Sequence, residues 1–315
     1  MRIICSMGCF RMTQNREYVL NESEEIKSHD LMMRTRDSES QDIFTIYVEG
    51  PSDEVFYRRW LKKSGLDKKF SILVFDVEKA KNISLEGSGN CGRIIKGAEK
   101  YSYDDRKLFI ADRDLREDSE VQEFTWLKTL FFTEFPAIES YSLVESVLKE
   151  LNYRRFDGDS KCIEDYYHYI GKIVRFLYLA RREFSEKMEI YGRFRGILLR
   201  AIESEINQEY SPAEGYKRIL EVIRENASED IRNSDILDNS FSPPDIRKHA
   251  YGHDIAPVLR NFIRTQISDF NQSDKYIELA LTNIYIDLGL YGEDKLFKEI
   301  QEYMERKICN TVGIR

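Results

Sequence analysis

The chain is poor in the residues that build disulfide or zinc frameworks, with five cysteines and four histidines in 315 residues. Cys5, Cys9, Cys91, Cys162 and Cys309 are scattered and odd in number, and no two form a C-x-x-C pair. They read as reduced thiols of a cytosolic protein, and the histidines add no zinc spacing. No apolar run approaches the ~20 residues that cross a bilayer. The opening MRIICSMGCF is too short an apolar stretch for a secretory signal. The expectation is a cytoplasmic protein with no membrane partner. A G-x-x-x-x-G-K-[ST] phosphate loop is missing, so any ATP dependence must come from another chain. G-x-S-x-G is missing too, as is a credible Cys–His pair. Positive charge is also short: the net charge is −8. That argues against non-specific coating of nucleic acid, which needs local cations. It leaves room for a nuclease with acids in a cleft and cations in a patch.

What is present is a globular composition, 42% hydrophobic, and length enough for two domains of ordinary size. Residues 1–40 include a polar, Met-rich stretch that reads as frayed, with Met12 and Met32 as alternative starts. From residue 43 strands and helices alternate. IFTIYVEG, FSILVFDV, KLFIADRDL and LFFTEF read as strands, and SDEVFYRRWLKKSG, 93–101 and AIESYSLVESVLKEL as helices. This predicts an α/β domain over 41–152, a mainly parallel sheet flanked by helices. Over 153–315 the periodicity is helical and predicts a mostly α-helical domain, with NSFSPPD at 239–245 as a breaker.

Acids recur at one edge of the predicted sheet. Glu49 ends the first strand, and Asp53 falls in the first turn of the next helix. Asp112 and Asp114 end the third strand as D-x-D, and Glu139 opens the helix after the fourth. Each has a plain structural explanation: Asp53 and Glu139 as macrodipole partners, D-x-D as a turn former. The explanations taken singly do not account for their gathering at the carboxyl edge, where open parallel sheets bind ligands. Alternation along a strand would point Asp112 and Asp114 the same way. A hard cation relieves such crowding, and Mg²⁺ takes one or two carboxylates plus substrate phosphates, with Mn²⁺ as a substitute.

In the helical half, Lys172–Arg200 carries Arg181, Arg182, Arg193 and Arg195, interleaved with Phe176, Tyr178, Phe184, Tyr191 and Phe194. Cations with aromatics suit phosphates and unpaired bases; an amphipathic helix with a basic solvent face explains the pattern equally. RKHAYGHDIAPVLR would bring His249, His253 and Lys248 near the site, with Lys248 and His253 as candidate substrate contacts and a buried, hydrogen-bonded role for His253 as the competing reading. GSGNCG, 87–92, matches G-x-G-x-x-G but does not follow the first strand, as a dinucleotide fold requires. A D-x-D phosphatase would need its pair after the first strand, where this chain has Glu49.

IYVEGPSDEVFY, LFIADRDL and FFTEFPAIESYSL together resemble the toprim domain, the topoisomerase–primase module. More narrowly they resemble the toprim-type proteins encoded beside ABC-like ATPases, which include effectors of PARIS phage-defence operons and are related to the overcoming-lysogenisation-defect (OLD) nucleases. The resemblance covers roughly residues 34–150 well and the rest loosely. It implies a Mg²⁺-dependent endonuclease with Glu49 as essential acid, metal ligand or proton shuttle. Asp112 and Asp114 would be metal ligands, and Asp53 and Glu139 would complete the cluster. It also implies a toxic effector acting on RNA, tRNA included, released from an ABC-like ATPase partner and able to form a homodimer. The glycines of 87–92 become a loop bordering the site. No counterpart of the assisting lysine is evident; Lys79, Lys81 and Lys96 are candidates. The competing expectations are a non-catalytic toprim scaffold that docks the ATPase and an OLD-like DNA nuclease. A primase- or topoisomerase-like enzyme trails, for want of a recognisable tyrosine-bearing cleavage domain or zinc-binding region.

Overall fold

A computed structural model describes residues 44–75, 89–156, 166–206, 210–237, 245–267 and 270–312. The stretch 1–43, Gly87 and Ser88 of the glycine-bearing segment and most of NSFSPPD lie outside the described residues.

Strands β1 (Phe44–Val48), β2 (Phe70–Val74), β3 (Lys107–Ala111) and β4 (Leu130–Phe132) form one sheet in the order β2-β1-β3-β4, every neighbouring pair parallel. Helix α1 (Pro51–Lys63) joins β1 to β2, α2 (Asn90–Lys100) precedes β3, and the short α3 (Asp118–Gln122) precedes β4. After β4 come a 3₁₀ turn, Ile138–Ser142, and α4 (Glu145–Phe156). The remainder is helical: α5 (Tyr167–Glu183), α6 (Met188–Glu205), α7 (Pro212–Asn226), α8 (Glu229–Arg232), α9 (Gly252–Gln266), α10 (Asp274–Asp287) and α11 (Lys295–Val312). The α/β expectation holds, and all described strands are parallel.

The two-residue pleat sorts the strands' side chains into two cores. Phe44, Ile46, Val48, Phe70, Ile72, Leu108 and Ile110 face α1 and pack with its Phe56, Tyr57, Trp60 and Leu61. Phe109 and Ala111 face the other way, onto Cys91, Ile94, Ile95 and Ala98 of α2. Each such fully buried side chain contributes roughly 1.5–3 kcal/mol. Gly97 sets α2 flush on the sheet, since a Cβ there would come within 2.7 Å of Phe75 Cζ and 2.9 Å of Phe109 Cε1.

The last helices return to the first. Phe297 of α11 packs 5.3 Å from Trp60 and 5.4 Å from Tyr141, centroid to centroid, and Tyr285 of α10 lies 6.1 Å from Phe56. The change near residue 152 is therefore one of element type, and a single apolar core runs through it. Among the described residues no helix is long and apolar enough to cross a membrane.

Candidate functional site

The chain leaves β1 toward β2 on one side and reaches β3 on the other, so the crevice between the carboxyl ends of β1 and β3 is a topological switch point. Tyr47 pairs in register with Phe109, and two residues past Tyr47 and three past Phe109 the acids meet. Glu49 Oε1 accepts a hydrogen bond from the Asp112 backbone N–H at 2.7 Å, across 63 positions of sequence.

Asp53 joins them through the start of α1. Gly50 is the N-cap, Pro51 the first helical residue, and Asp53, three positions past the cap, accepts from the Gly50 N–H at 2.8 Å. One oxygen of Asp53 thus serves as a cap of the helix start. Glu139 comes from the 3₁₀ turn after β4 and is buried. Its Oε2 lies where a Cβ on Gly252 would overlap it, so the start of α9 is fitted against this carboxylate.

Asp112 and Asp114 need a correction. β3 ends at Ala111, so strand alternation does not orient them. Asp114 instead adopts a left-handed backbone, φ 55°, a conformation aspartate tolerates better than most residues. The loop is pinned by the Asp114 N–H to Pro136 O (2.8 Å) and by the Arg113 N–H to Thr133 Oγ1 (2.8 Å). Arg116 from the same loop pairs with Asp114 at 3.4 Å.

The electrostatics report the crowding. Burial pushes Glu49 up to about 7; the bond from Asp112 opposes this, and Asp114 and Asp53 add to it. Asp53 is likewise raised to about 7, by burial and then by Glu139. Asp112 is held well above the usual carboxylate range by burial, then by Asp53, Glu49, Glu139 and Asp114. Burial raises Asp114 too, with Arg116, His253 and Arg181 pulling it back.

Compared with known proteins, the chain matches no family model and no curated sequence.

Among the described residues no group of three His, Cys, Asp or Glu side chains converges closely enough to form an ion cage. Mg²⁺ does not require one, because it keeps several waters and binds through one or two carboxylates. Glu49, Asp112 and Asp114, oxygen donors on adjacent strand ends with too little counter-charge between them, fit such a cation.

The predicted substrate contacts divide. Arg181 and Arg195 turn inward onto Asp254, which is fully buried: Arg195 Nε donates to its Oδ1 at 3.0 Å, Arg181 Nη2 to its Oδ2 at 3.3 Å, and Tyr191 Oη to Oδ1 at 2.6 Å. The aromatics interleaved with them, Phe176, Tyr178, Phe184, Tyr191 and Phe194, are all buried. The aromatic core of the amphipathic explanation therefore holds and those rings are not base platforms, but Arg181 and Arg195 do not belong to a basic solvent face. Arg182 pairs with Glu117 at 2.6 Å, while Arg193 and Lys248 are exposed. His253 is exposed, against the buried reading, and its ring meets Tyr251. Of the candidate lysines, Lys96 is half-buried on α2, and Lys79 and Lys81 lie outside the described residues. The glycine-rich segment does border the site where it is described: α2 starts at Asn90, and Cys91 Sγ donates to Asp112 O at 3.4 Å.

Sequence reasoning missed Arg116, Tyr251, Gly252 and Asp254. Arg116 was signalled by a cation inside DRDLRED, two positions past the second aspartate. The other three sit in AYGHD, whose glycine marks a close approach.

Proposed function

We propose that the chain is a Mg²⁺-dependent phosphodiesterase of toprim type that cleaves nucleic acid, RNA in preference to DNA. It would serve as the toxic effector of an anti-phage system held in check by an ABC-like ATPase, and release would permit a homodimer. The observation that carries the enzymatic part is the Glu49–Asp112 hydrogen bond, which brings the acids of β1 and β3 to one crevice. The RNA preference, the ATPase and the dimer rest on the resemblance of the V-E-G, D-R-D and I-E-S-Y segments.

Bound there, Mg²⁺ would supply positive charge to the non-bridging oxygens of a phosphodiester and to the leaving oxygen. Asp112 and Asp114 would hold it. Glu49 would either join them as a ligand or, left off the metal, take the proton of an attacking water and return it to the leaving oxygen; its metal-free value, raised to about 7 by burial, suits the second role. Asp53 is fixed by its cap bond to Gly50, and Glu139 by Gly252 behind it, so both restrict where the other carboxylates can move. Arg116 sits beside Asp114 and offers donors to a substrate phosphate.

The test is to induce the wild type, Glu49→Ala and Asp112→Ala in cells and sequence RNA ends. Wild-type-specific cuts in one RNA class, absent in both variants while partner binding persists, support the reading. Equal toxicity in all three points to a scaffold, and DNA breaks without RNA ends point to an OLD-like DNA nuclease.

A further inference from the structure

With the interleaved rings of α5 and α6 in the core, exposed aromatic surface near the acids comes from elsewhere. Gly252 lies against Glu139, where a Cβ would also approach Ala137 Cβ to 3.0 Å. Its two neighbours, Tyr251 and His253, therefore stand at the carboxylate cluster. Tyr251 is half-buried and carries the Arg181 guanidinium over its ring at 4.1 Å. Arg181 is gripped in turn by the Tyr191 ring at 4.3 Å and by buried Asp254. This stack holds the Tyr251 ring in place. His253 is exposed and meets Tyr251 edge to face, 5.6 Å between centroids at 68°.

We propose that Tyr251 and His253 form a stacking corner for one unpaired base beside the phosphate that the acid cluster handles. This rests on the nucleic-acid reading above and adds the strandedness of the substrate. A polyanion approaching the five carboxylates without metal is repelled, and Arg181 is already engaged with Asp254. A neutral base face can bind there without adding charge, and every base has one, so the contact is tolerant of sequence. A base inside a duplex is already stacked on its neighbours and cannot enter such a corner without leaving the helix. The ligand is therefore a single-stranded segment or loop, with the base flanking the scissile phosphate held by the rings.

The experiment measures binding of short fluorescein-labelled RNA by anisotropy, in Ca²⁺ instead of Mg²⁺ and with strand integrity checked. The ligands are a single strand, the same strand with one abasic position stepped along it, and a duplex. The chains are wild type, His253→Phe, His253→Gln, Tyr251→Phe and Tyr251→Leu, each checked for its melting temperature. Stacking predicts that the single strand binds wild type more tightly than the duplex. His253→Phe and Tyr251→Phe should bind like wild type, and His253→Gln and Tyr251→Leu should lose about five-fold or more. One abasic position should cost wild type a similar factor and cost His253→Gln nothing further. Equal losses in His253→Phe and His253→Gln would make His253 a charge contact and overturn the corner. Indifference to every abasic position would overturn it as well. If wild type binds neither single strand nor duplex, the nucleic-acid reading itself falls; if it binds both alike, only the corner does.

Discussion

Replacing Glu49 with glutamine should make the metal-free protein more stable while making it inert. Glutamine keeps the volume and a carbonyl oxygen to accept from the Asp112 N–H, now 2.7 Å away, and removes only the charge. Without metal Glu49 is raised from 4.5 to about 7, chiefly by burial. The folded state thus holds a proton that the unfolded chain releases between those values, so stability falls as pH rises through that window. The whole span from 4.5 to 7 would cost about 3.4 kcal/mol at ~1.36 kcal/mol per pH unit. Glu49 is partly exposed and shares its perturbation with Asp53 and Asp114, so solvent screening reduces this to about 1–2 kcal/mol. At pH 8 in a chelator, Glu49→Gln should melt a few degrees above wild type, with the gap closing toward pH 5. Added Mg²⁺ should narrow or reverse it, because wild type gains more from a ligand that binds only the folded state. Thermal denaturation followed by circular dichroism from pH 5 to 8.5, with chelator and with Mg²⁺, reads all three. A variant less stable than wild type at pH 8 in chelator would refute the reasoning, since the carboxylate would then be a net support of the fold and the acids not crowded.

Two further substitutions probe the frame around the cluster. Gly252→Ala drives a methyl into Glu139 Oε2, with Ala137 Cβ at 3.0 Å leaving no retreat; roughly 1–3 kcal/mol of stability should be lost, together with the Mg²⁺-dependent rise in melting temperature. A variant that melts and responds to Mg²⁺ like wild type would show that α9 does not brace Glu139. Asp254→Ala leaves Arg181 and Arg195 facing a fully buried void where a carboxylate stood; the cost in urea denaturation should be about 3–5 kcal/mol, as for removing one partner of a buried ion pair. A loss under about 1 kcal/mol would mean that water replaces the carboxylate freely.

The acids at strand ends were legible because parallel strands obey a two-residue pleat and a fixed edge rule. IYVEG and IADRD could be placed at the same edge from pattern alone, and the structure joins Glu49 to Asp112. What the pattern misjudged was the route. The D-x-D was read as strand, yet the strand stops one residue earlier and the left-handed turn at Asp114 does the orienting. Local periodicity cannot report a φ that is set by Pro136 O and Thr133 Oγ1 across the next loop. The basic helices failed for a related reason. A cation on an amphipathic face looks the same in sequence whether it points to solvent or, like Arg181, to an aspartate 73 residues later. The one partly legible clue was AYGHD, where glycine at the start of a helical pattern announced a close neighbour without naming Glu139.

The sheet order explains why so many acids are tolerated at one place. Had β3 been added beyond β2, the connections after β1 and β2 would run the same way and a helix would cover each strand end. Because β3 lies on the far side of β1, α1 and α2 depart to opposite faces, and their first turns part above the β1–β3 seam. Glu49, Asp112 and Asp114 line that parting and stay half-exposed, while Asp53 approaches from the α1 side and Glu139 from the turn after β4. A fold that sealed the seam would have to neutralise or pair these charges. One that leaves it open concentrates negative potential where a cation and a phosphate can share it, and the stability given up by crowding the carboxylates is recovered only when something positive binds.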